Sequence, residues 1–331
     1  MKPKIAFIST GGTIASVGSG PLDVIEYGST GVRMQAEQIV GTFPALRDIA
    51  EIVAISTVNL VSPAIGFAGW KRLVQACDQV VAEHPDIAGI VIGHGTASLE
   101  ETAYMLNLTV KVAVPVVLVG SQRPASALGS DAGMNLVGAI RTAASPDARG
   151  MGVLVVLNDE IQASREVTKS STLRLQAFRS PDFGVLGHAD ADRVSFYRAP
   201  LRRRAPDTEF DIRGLDALPR VDIVYAYTEA DGTAVRAFVA AGARGIVSAG
   251  FAPGLPTPGD EAALAEAVRA GVVVALSSRA GGGRVVSNWR ARESGFIVAD
   301  NLNPQKARIL LALALTLTTD LQRIAALFEA Y

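Results

Sequence analysis

The sequence predicts an α/β protein: a large N-terminal domain on a mostly parallel sheet, followed by a smaller C-terminal α/β domain. Three observations predict it. Short Val/Ile-rich runs recur, each closed by Gly, Ser, Thr or Asn and followed by a longer segment of helical character. The runs are continuously apolar, as suits strands covered by helices on both faces. The 331 residues, 49% of them hydrophobic, exceed one usual domain of about 100–200 residues.

In chain order, strands are expected at Ile5–Ser9, Val53–Thr57, Ile87–Ile92, Val114–Val119, Val153–Leu157, Ile223–Tyr227, Gly245–Ala249 and Val272–Leu276. Between Phe196 and Pro219 the pattern lapses into prolines and the triplet Arg202-Arg203-Arg204 with no apolar periodicity. This reads as a solvated linker over 196–219, between a larger N-terminal domain of residues 1–195 and a C-terminal domain of residues 220–331. The apolar-rich segment Gln305 to Phe328 reads as one or two core-packed helices.

Lys and Arg total 31 against 32 Asp and Glu, a net charge of −1, so no global basic field draws nucleic acid or an anionic membrane, and small-molecule partners are expected. Cys77 is the single cysteine, and His84, His94 and His188 are far apart, so neither a disulfide framework nor a metal centre is expected. Ile5-Ala6-Phe7-Ile8 is too short for a signal-peptide core, and Ile309–Leu317 falls short of the roughly 18 residues of a membrane span. A cytoplasmic protein is the expectation.

In parallel sheets, ligands gather where strand carboxyl ends run into loops. The first strand empties into Ser9-Thr10-Gly11-Gly12-Thr13-Ile14-Ala15, whose paired glycines permit a tight turn and close approach to a ligand. Neither G-x-G-x-x-G nor a P-loop is present, which leaves a structural turn or a site presenting Thr13. The third strand runs into Gly93-His94-Gly95-Thr96-Ala97-Ser98-Leu99-Glu100-Glu101, where Ser98 and Glu101 have the spacing of a capping box. The fifth leads to Arg165-Glu166-Val167-Thr168-Lys169. Taken singly, these are turns, helix caps and a surface lysine. Together they are chemically coherent: a threonine needs a base to become a nucleophile, and a lysine with a lowered pKa can serve as one.

These loops resemble those of the bacterial L-asparaginase family of Thr-nucleophile amidohydrolases. Thr10–Ala15 (TGGTIA) and His94–Ala103 (HGTxxxEETA) are similar to its two signature motifs, and Gly120–Pro124, Val155–Lys169 and Leu302–Arg308 resemble further family blocks. The resemblance spans essentially the whole chain. It implies Thr13 as primary nucleophile, Tyr27 as the mobile-loop tyrosine beside it, and Thr96 with Lys169 as a second hydroxyl–amine pair. It places Ser62 at the serine that binds the substrate's α-carboxylate. Gly12, Gly95 and Ala97 complete the implied binding loops, and the Gly95–Thr96 N–H groups are candidates for holding an oxyanion. It also implies a cofactor-free, metal-free hydrolase of L-asparagine to L-aspartate and ammonia through an acyl-enzyme, with active sites shared across a homodimer or homotetramer.

The departures bear on substrate. The family's second motif continues with an Asp that holds the substrate's α-ammonium; here the residue is Ala97. A Gln commonly follows the carboxylate-binding Ser; here it is Pro63. The neighbouring subunit's glutamate falls in a stretch, Gly281 to Arg292, that holds no acidic residue, and the Asn of the preceding loop is missing from Gly250–Gly254. The alternatives are an amidase or lactam hydrolase acting on a substrate without a free α-ammonium, and a ligand-binding homologue without turnover.

Overall fold

The computed structural model describes residues 2–331. The chain divides into two compact units, the first ending at Arg213 and the second comprising Gly214–Tyr331.

The first unit runs β1 (Lys4–Gly11), α1 (Ala36–Thr42), α2 (Leu46–Ile49), β2 (Glu51–Leu60), α3 (Phe67–Glu83), β3 (Ile87–Gly93), α4 (Leu99–Thr109), β4 (Val116–Val119), α5 (Ala132–Ala144), β5 (Val153–Leu157), β6 (Glu160–Ala163), β7 (Thr168–Lys169), β8 (Phe178–Arg179), β9 (Gly187–Ala189) and β10 (Val194–Phe196). Its main sheet has the order β10-β9-β6-β5-β4-β3-β1-β2. The strands from β2 to β5 are mutually parallel, and β6, β9 and β10 extend the sheet antiparallel. Thr168 and Lys169 stand apart in a two-stranded ribbon with β8.

Alternation within the apolar strands decides the core. Ile5 and Phe7 of β1, Val91 of β3, Val117 and Val119 of β4 and Leu154 and Val156 of β5 share one buried cluster with Leu136, Ala139, Ile140 and Ala143 of α5. Because β1 pairs in parallel with both neighbours, Gly11 stands beside Leu60 and Ser9 beside Gly93, so three strands discharge their loops at one sheet edge.

The second unit repeats the alternation with β11 (Val221–Tyr225), α6 (Thr233–Ala240), β12 (Gly245–Gly250), α7 (Pro258–Arg269), β13 (Val273–Ser278), α8 (Trp289–Glu293), β14 (Ile297–Val298), α9 (Pro304–Leu317) and α10 (Leu321–Ala330). Its strands form a parallel sheet in sequence order, with Val224, Ile246 and Val274 packed against Leu264 and Ala267 of α7. Residues 197–220 carry no helix or strand.

The expected α/β architecture, a large mostly parallel sheet followed by a smaller parallel one, is therefore present, with local differences of physical origin. Strand β4 begins at Val116 and not Val114, since Pro115 has no N–H to give a ladder. The apolar tail divides into α9 and α10, because Asp320 caps a new helix by accepting from the Gln322 N–H at 2.8 Å. Among the described residues no helix is long and apolar enough to cross a membrane.

Candidate active site

The site is assembled from the loops that follow β1, β2 and β3, together with the β7 ribbon. Gly12 has φ 82° and ψ −172°, a conformation open essentially to glycine alone. A Cβ built on it would stand 2.2 Å from the Gly95 Cα. Absence of a side chain therefore lets the Thr13 and Thr96 loops touch backbone to backbone. Gly95 is pressed in turn against Ser62, whose Cβ a methyl on Gly95 would meet at 2.8 Å. Ser62 itself is buried, in the short turn that follows β2.

Two polar pairs flank this contact. Thr13 Oγ1 lies 2.9 Å from the Tyr27 hydroxyl, on a segment whose Leu22 and Ile25 are exposed. Lys169 Nζ donates to Thr96 Oγ1 at 2.8 Å, and Thr96 is only 6% exposed. Burial of the half-buried Lys169 holds its ammonium below the usual lysine range, while the charge of Glu100 pulls it back upward. Glu100 Oε1 accepts from the Lys169 backbone N–H and from Thr168 Oγ1, each at 3.2 Å.

A buried chain of donors fixes the backbone between these pairs. The Gly95 carbonyl can only accept, so His94 Nδ1, 2.8 Å away, carries the proton and donates to it. The imidazole is neutral, its pKa pushed down to about 4 by burial, and Nε2 is therefore an acceptor. Thr102 Oγ1, 3.0 Å from Nε2, donates to it and itself accepts from Trp70 Nε1–H at 2.9 Å. The Gly95–Thr96 peptide is thus held by a directed run of hydrogen bonds.

This burial has a consequence for stability. Below pH 6.5 an unfolded chain takes up a proton on His94 that the folded state refuses until about pH 4. The contribution is intact above pH 6.5 and is lost as pH falls through that window, up to about 3 kcal/mol. His94→Asn is expected to lower the denaturation midpoint at pH 7 yet to flatten its decline between pH 6.5 and 4. Parallel declines in both proteins would contradict this role for His94.

The structure brings Gly12, Thr13, Tyr27, Ser62, Gly95, Thr96 and Lys169 into contact in two linked groups within the first unit. Ala97 sits next to Thr96 with its methyl group exposed. The expected capping box does not form. Ser98 is the N-cap of α4, but its side chain makes no cap bond; the hydroxyl instead donates to the Ser62 carbonyl at 2.7 Å, tying the β2 and β3 loops together. Sequence reasoning missed the Glu100 contact with the Lys169 loop and the Trp70–Thr102–His94 run. The stretch Gly281 to Arg292, where the resemblance places the neighbouring subunit's glutamate, lies in the second unit. Cys77 is fully buried and its thiol is pushed up to about 12 by burial, so it is inert at neutral pH.

A parallel α/β scaffold that gathers hydroxyls and a desolvated amine at strand ends defines a hydrolase-like class, and comparison with known proteins narrows it. Residues 4–202 match the family described as "Asparaginase, N-terminal", and residues 220–328 match the "Glutaminase/Asparaginase C-terminal domain". The chain belongs to the asparaginase family and is an asparaginase-type amidohydrolase. It is 41% identical to L-asparaginase 2 of Bacillus subtilis (strain 168) over 99% of this chain and 87% of that protein. It is 38% identical to a glutaminase-asparaginase of Pseudomonas fluorescens biotype A over 99% of this chain and 90% of that one. A probable cytoplasmic L-asparaginase from Campylobacter jejuni superposes with a TM-score of 0.94 at 38% identity, covering 100% of both chains.

Proposed function

We propose that this enzyme hydrolyses the side-chain amide of L-asparagine to L-aspartate and ammonia, with Thr13 as nucleophile. The observation that carries the reading is the pairing of Thr13 with Tyr27 and of Thr96 with Lys169 on loops pressed together at Gly12 and Gly95. Thr13 Oγ1 attacks the amide carbon, its proton leaving through the Tyr27 hydroxyl. The C–N bond breaks as the nitrogen takes up the proton relayed through Tyr27 and departs as ammonia, and an ester on Thr13 remains. Water then attacks that ester, giving a proton to the Lys169 amine through Thr96; as the ester C–O bond breaks and aspartate leaves, Lys169 gives a proton up to Thr13 Oγ1, and both groups return to their starting states. Ser62 would take the substrate's carboxylate, and the Gly95–Thr96 N–H groups the oxyanion. The reading extends to a cytoplasmic homodimer or homotetramer with shared sites, working without metal or cofactor, in which 196–219 links the two domains. Ammonia release from asparagine by chelator-treated protein tests it: activity is expected to persist. Loss with EDTA and recovery with a divalent ion would point to another chemistry.

One observation favours a second reading, an amide without an α-ammonium. The exposed residue beside Thr96 is Ala97, whose methyl offers a cation only apolar contact. Leaving an ammonium without its carboxylate costs on the order of 2–5 kcal/mol where the pair is buried. Wild-type protein is therefore expected to discriminate weakly between asparagine and succinamic acid, its des-amino analogue. Ala97→Asp is expected to shift preference towards asparagine, less so as pH rises through the substrate's amino pKa. A wild-type preference for asparagine above about 10³-fold, equivalent to roughly 4 kcal/mol, would show that another carboxylate supplies the recognition.

A further inference from the structure

Lys169 does not reach Thr96 through the geometry of its own ribbon alone. Strand β7 is two residues long, and its partner β8 is equally short, too little ladder to fix a lysine backbone. What ties the ribbon to the catalytic loop is Glu100, at the second position of α4 and 6% exposed. One carboxylate oxygen accepts from both the Lys169 N–H and the Thr168 hydroxyl. Four residues upstream of Glu100 in the chain, Thr96 receives the Lys169 ammonium. The two contacts close a ring: helix start to ribbon backbone, ribbon side chain back to the loop that opens the helix.

We propose that Glu100 is a positioning residue of the reaction, holding the Lys169 backbone where its amine meets Thr96 and governing by its charge how readily that amine gives up its proton. This rests on the reading of Lys169 as the base. Other charged groups on neighbouring elements are Glu101 on α4, Arg179 on β8, and Arg165 and Glu166 before β7. Arg179 is exposed and Glu166 is paired with Arg198 at 2.6 Å. Glu100 is the charge that acts on Lys169, opposing its desolvation.

The assignment separates geometry from charge. In Glu100→Gln the amide oxygen still accepts both bonds, but the negative charge is gone. Lys169 then loses its proton more easily, so the acid limb of the kcat–pH profile moves to lower pH, by about one unit for a close ion pair, while kcat on the plateau stays within about 3-fold. Glu100→Ala removes the acceptor as well and is expected to cost about 10-fold or more in kcat at every pH, with KM less affected. The test records kcat against pH for wild type and both variants, with the Lys169 Nζ titration followed by NMR of lysine-labelled protein and assigned by its loss in Lys169→Met. A limb and an NMR midpoint that move down together in Glu100→Gln are the expected result. If neither moves in folded Glu100→Gln, Glu100 is a structural residue only and the proposal fails. If the midpoint moves and the limb does not, the reading of Lys169 as base fails, and with it the part of Glu100 in turnover. Because the Gln variant preserves both hydrogen bonds, the test survives even if the Ala variant does not fold.

Discussion

Thr13→Ala is expected to lower kcat by at least about 10²-fold, the range for removing a group that takes part directly in bond formation. The side chain follows a backbone turn set by Gly11 and Gly12, and its hydroxyl makes a 2.9 Å bond to Tyr27. The substitution deletes a hydroxyl and a methyl group from a half-buried position and leaves the Gly12–Gly95 contact in place. The fold should survive, and the loss should appear in kcat more than in KM. Thr13→Ser, which keeps an oxygen in reach of Tyr27, is expected to retain measurable turnover. Near-normal hydrolysis by folded Thr13→Ala, measured as ammonia release, would rule out Thr13 as nucleophile.

Lys169→Met should also cost at least about 10²-fold in kcat. Methionine fills much of the volume of the lysine stem but offers no proton acceptor, so the buried Thr96 hydroxyl loses its partner. If the pair serves the hydrolysis of the ester, the defect falls on the second step. Pre-steady-state kinetics with substrate in excess should then show a burst of ammonia followed by slow turnover. A variant within a few-fold of wild-type kcat across pH 5–9 would remove the amine from the mechanism. Lys169→Arg is expected to fail nearly as badly, since a guanidinium stays protonated throughout that range.

Much of the scaffold was legible because parallel strands buried on both faces are continuously apolar, and each of the eight expected runs contains or overlaps a strand of the structure. The last two strands of the antiparallel side, β9 and β10, were not: each is three residues long, and neither has the apolar run that marked the others. Of the site, the Thr13, Thr96 and Lys169 loops stood out because hydroxyls and glycines cluster where strands end. Tyr27 carried no signal of its own, lying half-buried in a short 3-10 turn, Glu26–Thr30, on an otherwise exposed segment, and entered only through the family resemblance. Glu100 was masked by a local explanation. A carboxylate in the first turn of a helix favours the helix dipole, and nothing local reveals that its oxygen meets residues 68 and 69 positions away. Ser98 illustrates the same limit in reverse, since its spacing to Glu101 promised a capping box while its hydroxyl was drawn to the Ser62 carbonyl. Nothing in the sequence singles out Trp70, whose N–H begins the run that anchors Gly95. Periodicity reports burial; it does not report which polar atoms meet across the fold.

The central claim is that a substrate acyl group passes through Thr13, and trapping that ester tests it most directly. Lys169→Met protein mixed with asparagine or succinamic acid, acid-quenched within the burst and digested, should yield by mass spectrometry an acylated peptide containing Thr13. The adduct should be absent from Thr13→Ala and should decay as wild-type turnover proceeds. An acyl group on a different residue, or ammonia released in stoichiometric burst with Thr13 unmodified, would contradict the account.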